Sequence, residues 1–274
     1  MTVYLVGAGP GDPGLLTVRG AEVLAEGDVV VYETSWVMEL LDFAPDGAEW
    51  ISVEETPPAP SPRRDETIRV LIEHGTSGRT IVFLVAGDPF VFGGGGNLAS
   101  ALIEAGIEFE VVPGVSSAIA APAAAGIDLT LGSDAPSFTV IAAEGPGVDE
   151  PPDWEALADI GDTMVILRGA ERWPEIAHRL IDGGLSPQTP LTAIRWGTRP
   201  QQHTIRATLV TLGDRELRAR STIVVGTAAT GDASWLERQP LFGKRVVVTR
   251  TRHLASQLMH DLLRRGAQPV EVPT

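Results

Sequence analysis

The stretch Ile81-Val82-Phe83-Leu84-Val85-Ala86-Gly87-Asp88-Pro89-Phe90-Val91-Phe92-Gly93-Gly94-Gly95-Gly96 decides the fold. Its first five residues are an unbroken apolar run, which reads as a strand buried on both faces because no position is left for water. The run ends abruptly at Ala86-Gly87-Asp88-Pro89. Glycine opens backbone angles closed to other residues and lets a ligand approach the main chain, while Pro89 fixes the exit direction. Phe90-Val91-Phe92 returns to apolar, and four glycines follow. Open α/β sheets bind ligands at such a place, beyond the carboxyl end of a buried strand. The alternative is a glycine-rich connection that serves chain geometry alone.

Upstream, Val3 to Val6 is a short apolar strand followed by the tight loop Gly7-Ala8-Gly9-Pro10-Gly11-Asp12. Thr17 is an N-cap for a helix with apolar residues at Val18, Ala21 and Leu24 or Ala25, and Val29 to Tyr32 is a second buried strand. Strand, loop, helix and strand within about 30 residues make a βαβ unit and hence a parallel sheet with a right-handed crossover. The first loop invites comparison with the dinucleotide fingerprint Gly-x-Gly-x-x-Gly. Gly7 and Gly9 fit it, but Asp12 occupies the third glycine position and would put negative charge where a pyrophosphate must meet amide groups. The loop therefore suits a ligand without phosphates, or one with a positive charge, better than a nicotinamide or flavin cofactor.

Composition narrows the function classes. The chain has 274 residues, 43% of them apolar, with 30 glycines and 21 prolines, as expected of a loop-rich α/β protein large enough for one big domain or two smaller ones. No apolar run reaches the roughly 18 to 20 residues of a membrane span, and no basic-then-apolar leader opens the sequence, which points to the cytoplasm. With no cysteine there is no disulfide, thiolate metal site or cysteine nucleophile, and the five histidines have no metal-ligand spacing. No metal is expected. A formal charge of −15 argues against nucleic acid and anionic membranes as partners. A polyanionic substrate would need a local cluster of arginines working against that field.

Beyond these units, Ala44 to Glu55 continues the sheet weakly, and the proline-rich segment 56–62 is an exposed loop. Asp65 to His74 is a helix with Ile68, Leu71 and Ile72 on one face. Asn97 caps a further helix carrying the stripe Leu98, Ala101, Leu102 and Ala105, stopped by Gly106. Ile107 to Val112 is a strand, and Pro113-Gly114-Val115-Ser116-Ser117 leads into the small-residue helix Ala118 to Ala125, which must pack closely against something. The second half has strands at Ser137 to Ala143, Thr163 to Leu167, Leu191 to Trp196, His203 to Leu209 and Thr222 to Val225, with helices over Asp153 to Ala158 and Glu171 to Ile181. The polar turn between Leu191 to Trp196 and His203 to Leu209 predicts an antiparallel pair. From Leu241 a new strand–helix–strand pattern begins, too small for a core of its own, and it reads as the first piece of a further domain.

The motifs resemble those of the tetrapyrrole (corrin/porphyrin) methyltransferases. Val3-Tyr4-Leu5-Val6-Gly7-Ala8-Gly9-Pro10-Gly11-Asp12-Pro13, followed by Leu15-Leu16-Thr17, is similar to the first family signature. Gly87-Asp88-Pro89-Phe90-Val91-Phe92-Gly93 is similar to the second, and Phe109-Glu110-Val111-Val112-Pro113-Gly114-Val115-Ser116-Ser117-Ala118 to the third. The resemblance covers roughly residues 1 to 230, and its Phe-Val-Phe-Gly form is closest to members that act on uroporphyrinogen III. The tail Leu241-Phe242-Gly243-Lys244-Arg245-Val246-Val247-Val248-Thr249-Arg250 resembles the start of a uroporphyrinogen-III synthase domain.

The resemblance implies a two-domain α/β fold, with a parallel-sheet N-terminal domain at residues 1–114, a mixed-sheet C-terminal domain at 115–238, and the cofactor cleft between them. Residues 239–274 would be the truncated start of the synthase-like domain. It further implies a cytoplasmic homodimer, the methyl donor S-adenosylmethionine with S-adenosylhomocysteine as product, and C-methylation of uroporphyrinogen III to precorrin-2 in sirohaem or cobalamin biosynthesis. By matching motif positions, the cofactor would be held by Pro10, Ala86, Gly87, Asp88, Val91, Ser116, Ser117, Arg168 and Gly197. Glu33 stands at the family's acidic position and would be the general base. Arg63, Arg64, Arg168, Arg195 and Arg199 are candidates for the substrate's carboxylates, since guanidinium forks suit them. The chain departs from the family pattern in four places, the first being Glu33 itself, one carbon longer than the family's aspartate. It lacks the lysine expected near Val53-Glu54-Glu55, it has Leu131-Gly132-Ser133-Asp134 in place of His-Arg-Asp, and it has Arg168 where a methionine is usual. These departures keep two alternatives open: a methyltransferase for another corrin precursor (precorrin-4-like), and a non-catalytic cofactor- or tetrapyrrole-binding module fused to the synthase.

Overall fold

A computed structural model describes residues 2–53, 63–133, 135–145, 148, 150–160, 163–212, 217, 221–249, 258–259 and 261–272. The expected exposed loop at 56–62 lies outside the described residues, as do the side chains of Arg63 and Arg64. The chain divides into two compact units, Met1–Ser117 and Ala118–Thr274.

In the first unit, strands β1 (Val3–Gly7), β2 (Val29–Tyr32), β3 (Glu49–Ser52), β4 (Ile81–Val85) and β5 (Phe109–Val112) form one sheet. Their order is β3-β2-β4-β1-β5 and every pairing is parallel. All five residues of β4 are buried, as a central strand covered on both faces requires. Helices α2 (Arg63–Gly75) and α3 (Gly95–Glu104) cover one face, where Leu71, Leu98 and Leu102 meet Val3, Leu5, Val29, Val31, Ile81 and Phe83. Helix α1 (Val18–Ala25) covers the other, where Val23 and Leu24 meet Val6, Val30, Val82 and Leu84. Alternate strand residues therefore serve opposite faces. The weak pattern over Ala44 to Glu55 has a simple cause: β3 is the edge strand and none of its residues is buried.

Thr17 caps α1, its hydroxyl accepting the Gly20 amide at 3.1 Å. Asn97 caps nothing. Helix α3 starts earlier, from Gly94 in the left-handed region at φ 68°, and the Gly95 amide donates to the Pro89 carbonyl at 2.8 Å. A Cβ at Gly93 or Gly95 would press into the backbone of residues 88 and 89, so only glycine lets the helix begin this close to the preceding turn. The buried stripe shifts accordingly to Gly95, Leu98, Ala99 and Leu102, and Ala105 is exposed.

In the second unit, β6 (Phe138–Ala142), β7 (Thr163–Leu167), β8 (Pro190–Arg195), β9 (His203–Thr208) and β10 (Ser221–Val225) form a mixed sheet of order β6-β7-β10-β8-β9. β6 and β7 are parallel, and the other pairings are antiparallel, including the expected β8–β9 pair. One core joins this sheet to α5 (Trp154–Ala158), α6 (Trp173–Asp182) and α7 (Leu209–Leu212), centred on Trp154 and Trp173, both 1% exposed. The small-residue helix α4 (Ser117–Ala124) has the close partner its composition demands: a Cβ on Gly197 would lie 2.9 Å from the Ala121 Cα. At the tail, β11 (Arg245–Val248) and β12 (Gln268–Glu271) pair in parallel over a small cluster of Val248, Leu262 and Ala267.

Candidate active site

β1 and β4 are neighbours, yet the chain leaves β1 for α1 on one face and β4 for α3 on the other. Such a divergence opens a crevice beyond the carboxyl ends of the two strands, the place where open α/β sheets bind ligands. The loops that follow them are joined by backbone hydrogen bonds, Gly87 N to Gly9 O at 2.7 Å and Gly9 N to Gly87 O at 3.2 Å. Pro10, Ala86, Gly87, Asp88, Val91, Ser116 and Ser117 all lie on this edge of the first sheet, and Glu33 follows β2 on the same edge. Ala86 and Val91 are exposed, and Glu33, Gly87, Ser116 and Ser117 are half-buried.

Three glycines make the crevice floor. A Cβ on Gly7 would stand 2.5 Å from the Gly114 Cα and 2.7 Å from the Gly87 carbonyl oxygen. One on Gly114 would stand 2.6 Å from the Gly7 Cα and closer still to that same carbonyl. The backbones after β1, β4 and β5 are thus in direct contact. Gly87, at φ 71°, is different: a Cβ there would meet only Ser116 and Ser117 backbone, at 3.6 and 3.9 Å.

The acidic residues of the crevice have defined local work. Asp88 is 8% exposed. Its Oδ1 accepts the amides of Phe90 at 2.8 Å and Val91 at 3.0 Å, and its Oδ2 accepts the Gly114 amide at 2.9 Å. One carboxylate therefore both shapes the loop after β4 and ties it to the loop after β5. Asp12 caps the short 3₁₀ turn Pro13–Leu15 through Gly14 N at 2.8 Å. The sequence placed the negative charge of Asp12 in the first loop; in the structure both Asp12 and Asp88 are engaged by main-chain amides. This sharpens the case against phosphate binding, because four amides that could have cradled a phosphate already have carboxylate acceptors.

Arg19 and Glu110 brace the far side. The guanidinium meets the carboxylate through two contacts of 3.1 Å and lies 5.9 Å from the Tyr4 ring centroid, linking α1 to β5. The hydrogen bond from Arg19, aided by its charge, holds the Glu110 carboxyl below the usual range.

In the second unit, Arg168 follows β7 and Gly197 follows β8. Both strands are antiparallel to the intervening β10, so they point the same way and end on one edge. Arg168 adopts φ 55°, and its guanidinium lies over Gly145 beside the Glu144 carbonyl. Trp196 and Thr198, on either side of Gly197, also have positive φ, at 53° and 73°. Phe92, beside Val91, is the remaining non-glycine residue of this kind among the described residues. Left-handed backbone in bulky residues costs about 1–3 kcal/mol and clusters at functional sites, and here all four instances fall in loops that carry expected cofactor residues. Sequence reasoning missed the roles of Gly7, Gly114, Trp196 and Gln202. The Gln202 side chain accepts the Thr198 amide at 3.0 Å and donates to Glu237 at 3.0 Å, which fixes the β8–β9 loop. Arg199, one of the candidates for the substrate's carboxylates, is 7% exposed. Among the described residues no group of three or more His, Asp or Glu side chains could hold a metal, and no helix is long and apolar enough to cross a membrane.

Known proteins resemble this chain in sequence and in fold. The profile of the tetrapyrrole (corrin/porphyrin) methylases matches residues 2–213. The chain is 37% identical to a uroporphyrinogen-III C-methyltransferase of Bacillus subtilis across 99% of its own length and 58% of that protein's. It is 37% identical to the porphyrin biosynthesis protein HemD of Ruminiclostridium josui, over 99% of this chain and 55% of that one. The chain thus spans little more than half the length of these two curated relatives. A shorter uroporphyrinogen-III C-methyltransferase from Priestia megaterium is 38% identical over 82% of this chain and 96% of its own. Among solved structures, the uroporphyrin-III C-methyltransferase of Thermus thermophilus in complex with S-adenosylhomocysteine superposes with a TM-score of 0.73 at 33% identity, covering 84% of this chain and 99% of that one. A cobalt-precorrin-4 methyltransferase superposes with a TM-score of 0.72 at 29% identity, covering 83% and 95%. On its motifs, its two sheets and these matches, the chain belongs to the tetrapyrrole (corrin/porphyrin) methylases.

Proposed function

We propose that this protein is an S-adenosylmethionine-dependent C-methyltransferase that converts uroporphyrinogen III to precorrin-2, serving sirohaem and cobalamin biosynthesis. The observation that carries the cofactor is the state of the crevice amides. Asp12 and Asp88 already occupy those of Gly14, Phe90, Val91 and Gly114, which disfavours any ligand anchored by phosphate and suits a phosphate-free sulfonium. Gly87, whose missing side chain leaves room above the crevice, allows the ligand to approach the main chain. Support for the acceptor comes from the relatives described above, whose names give uroporphyrinogen III.

Pro10, Ala86, Gly87, Asp88, Val91, Ser116 and Ser117 of the first unit, with Arg168 and Gly197 of the second, form the proposed cofactor shell. Asp88 acts in it through the loop it shapes rather than through a free charge. When bound, the cofactor supplies an electrophilic methyl group, and much of the rate would come from holding the acceptor carbon in line with it. Glu33 is the proposed general base, taking the proton that the methylated carbon must lose. The protein is further proposed to work as a cytoplasmic homodimer. We assign residues 1–114 and 115–238 to the two methylase domains, and 239–274 to the start of a fused uroporphyrinogen-III synthase. That last assignment is supported by the two longer relatives, whose matches extend over the tail.

The test is an anaerobic incubation with uroporphyrinogen III and S-adenosylmethionine, followed by mass spectrometry and absorbance. A product heavier by whole methyl groups, with the precorrin-2 chromophore, is expected. Binding of S-adenosylhomocysteine without any methylated tetrapyrrole would favour a non-catalytic module. Methyl transfer to a later corrin precursor alone would favour a precorrin-4-like enzyme.

A further inference from the structure

We infer that Arg195, stacked on Trp196 at the carboxyl end of β8, is a docking point for a peripheral carboxylate of the tetrapyrrole substrate. This inference rests on the substrate class proposed above. The Arg195 and Arg199 guanidinium carbons lie 5.8 and 5.9 Å from the centroid of the same Trp196 ring. Two cations sharing one indole are a concentrated positive charge in a chain of net charge −15. The two arginines are not equivalent. Arg199 is 7% exposed and has further contacts of its own, whereas Arg195 is half-buried and its Nε is buried with no hydrogen-bond acceptor among the described residues. Buried guanidinium N–H groups normally find an acceptor, since leaving one unmet costs most of its hydration. Stacking on Trp196 is therefore the contact that holds Arg195, and the half-buried side chain still presents part of its surface to an acceptor from outside.

The surroundings are built to keep this arrangement. Trp196 and Thr198 are held in left-handed backbone, and Gln202 locks the loop through Thr198 N and Glu237. The Glu237 carboxylate at the other end of this link accepts from both Gln202 and Thr204. A planar guanidinium fork matches a carboxylate better than it matches any neutral acceptor. Gly197, proposed above as a cofactor residue, is two residues along the chain.

The experiment compares the wild-type chain with Arg195→Ala, Arg195→Lys and the control Arg69→Ala, an exposed helix arginine paired with Glu66 and Glu73. Each is titrated with fluorescent uroporphyrin III and, separately, with S-adenosylhomocysteine. Arg195→Ala is expected to weaken uroporphyrin binding by about 10- to 100-fold. Arg195→Lys should lose less, because charge survives without the fork. Arg69→Ala should match wild type, and affinity for S-adenosylhomocysteine should stay within about twofold throughout. Unchanged uroporphyrin affinity in Arg195→Ala overturns the inference. So does a parallel loss of S-adenosylhomocysteine binding, which would assign Arg195 to the cofactor's own carboxylate or to loop structure. Failure of the wild-type chain to bind uroporphyrin would instead overturn the tetrapyrrole reading itself, and this inference with it. If Arg195→Ala does not fold, Arg195→Gln answers the same question with the stacked shape retained.

Discussion

Replacing Asp88 by asparagine probes the carboxylate that ties the loop after β4 to the loop after β5. The side chain is 8% exposed and accepts three amides at 2.8 to 3.0 Å, so solvent gives it little screening. Asparagine can keep its oxygen toward Phe90 and Val91, but its amide group then faces the Gly114 N–H, donor against donor. The alternative flip satisfies Gly114 and strands the other two. In the better orientation one charge-assisted bond is lost, about 1.5–3 kcal/mol, and two more weaken from ionic to neutral acceptors by roughly half. The sum is about 3–5 kcal/mol, or roughly 10–20 °C in the melting of the unit that contains it. Calorimetry reads that shift, and hydrogen exchange at the Gly114 amide reads the particular bond. A melting point within about 2 °C of wild type, with unchanged exchange at Gly114, would refute the buckle assigned to Asp88.

Other outcomes follow from the same geometry. Gly114→Ala drives a Cβ into the Gly7 and Gly87 backbones and should destabilise the fold by at least about 3 kcal/mol, whereas Gly47→Ala, with open space around it, should be neutral or slightly stabilising in the same urea titration. Glu33→Gln should lower turnover by about 10²- to 10⁴-fold while S-adenosylhomocysteine affinity holds, separating a base from a binding group in single-turnover assays. Because the Glu110 carboxyl is held below its ordinary value by Arg19, the stability it gives is present above the unfolded carboxylate range and is lost as pH falls through its lowered value. The stability difference between wild type and Glu110→Gln should therefore shrink on acidification in denaturant melts at several pH values.

Much of the fold was readable because β1, β2, β4 and β10 are largely apolar runs with no charged residue inside them, and such runs have one stable home, a covered sheet. Thr17 was readable as a cap because its hydroxyl acts locally, on the amide three residues on. Asn97 misled for the converse reason. The start of α3 is set by the contact of Gly93 and Gly95 with the Asp88-Pro89 turn, which overrides the side chain that looks like a cap. The site was legible as loops and glycines, but the work of each residue was not. Asp12 and Asp88 are visible as carboxylates in the sequence, yet the amides that donate to them come from Gly14 in one case and from Phe90, Val91 and Gly114, the last 26 residues away, in the other. The Trp196 stack with Arg195 and Arg199 was invisible because a turn of positive φ, not a repeat period, brings the three together.

The central claim is that the crevice beyond β1 and β4 binds a phosphate-free sulfonium cofactor against Gly87. Isothermal titration of the wild-type chain and of Gly87→Trp with S-adenosylhomocysteine, and with NAD as a phosphate-bearing comparison, tests it most directly. The expected result is saturable binding of S-adenosylhomocysteine to the wild-type chain, no heat from NAD, and loss of S-adenosylhomocysteine binding in a Gly87→Trp variant that keeps its circular dichroism. Undiminished S-adenosylhomocysteine binding by that variant, or tighter binding of NAD by the wild-type chain, would contradict the account.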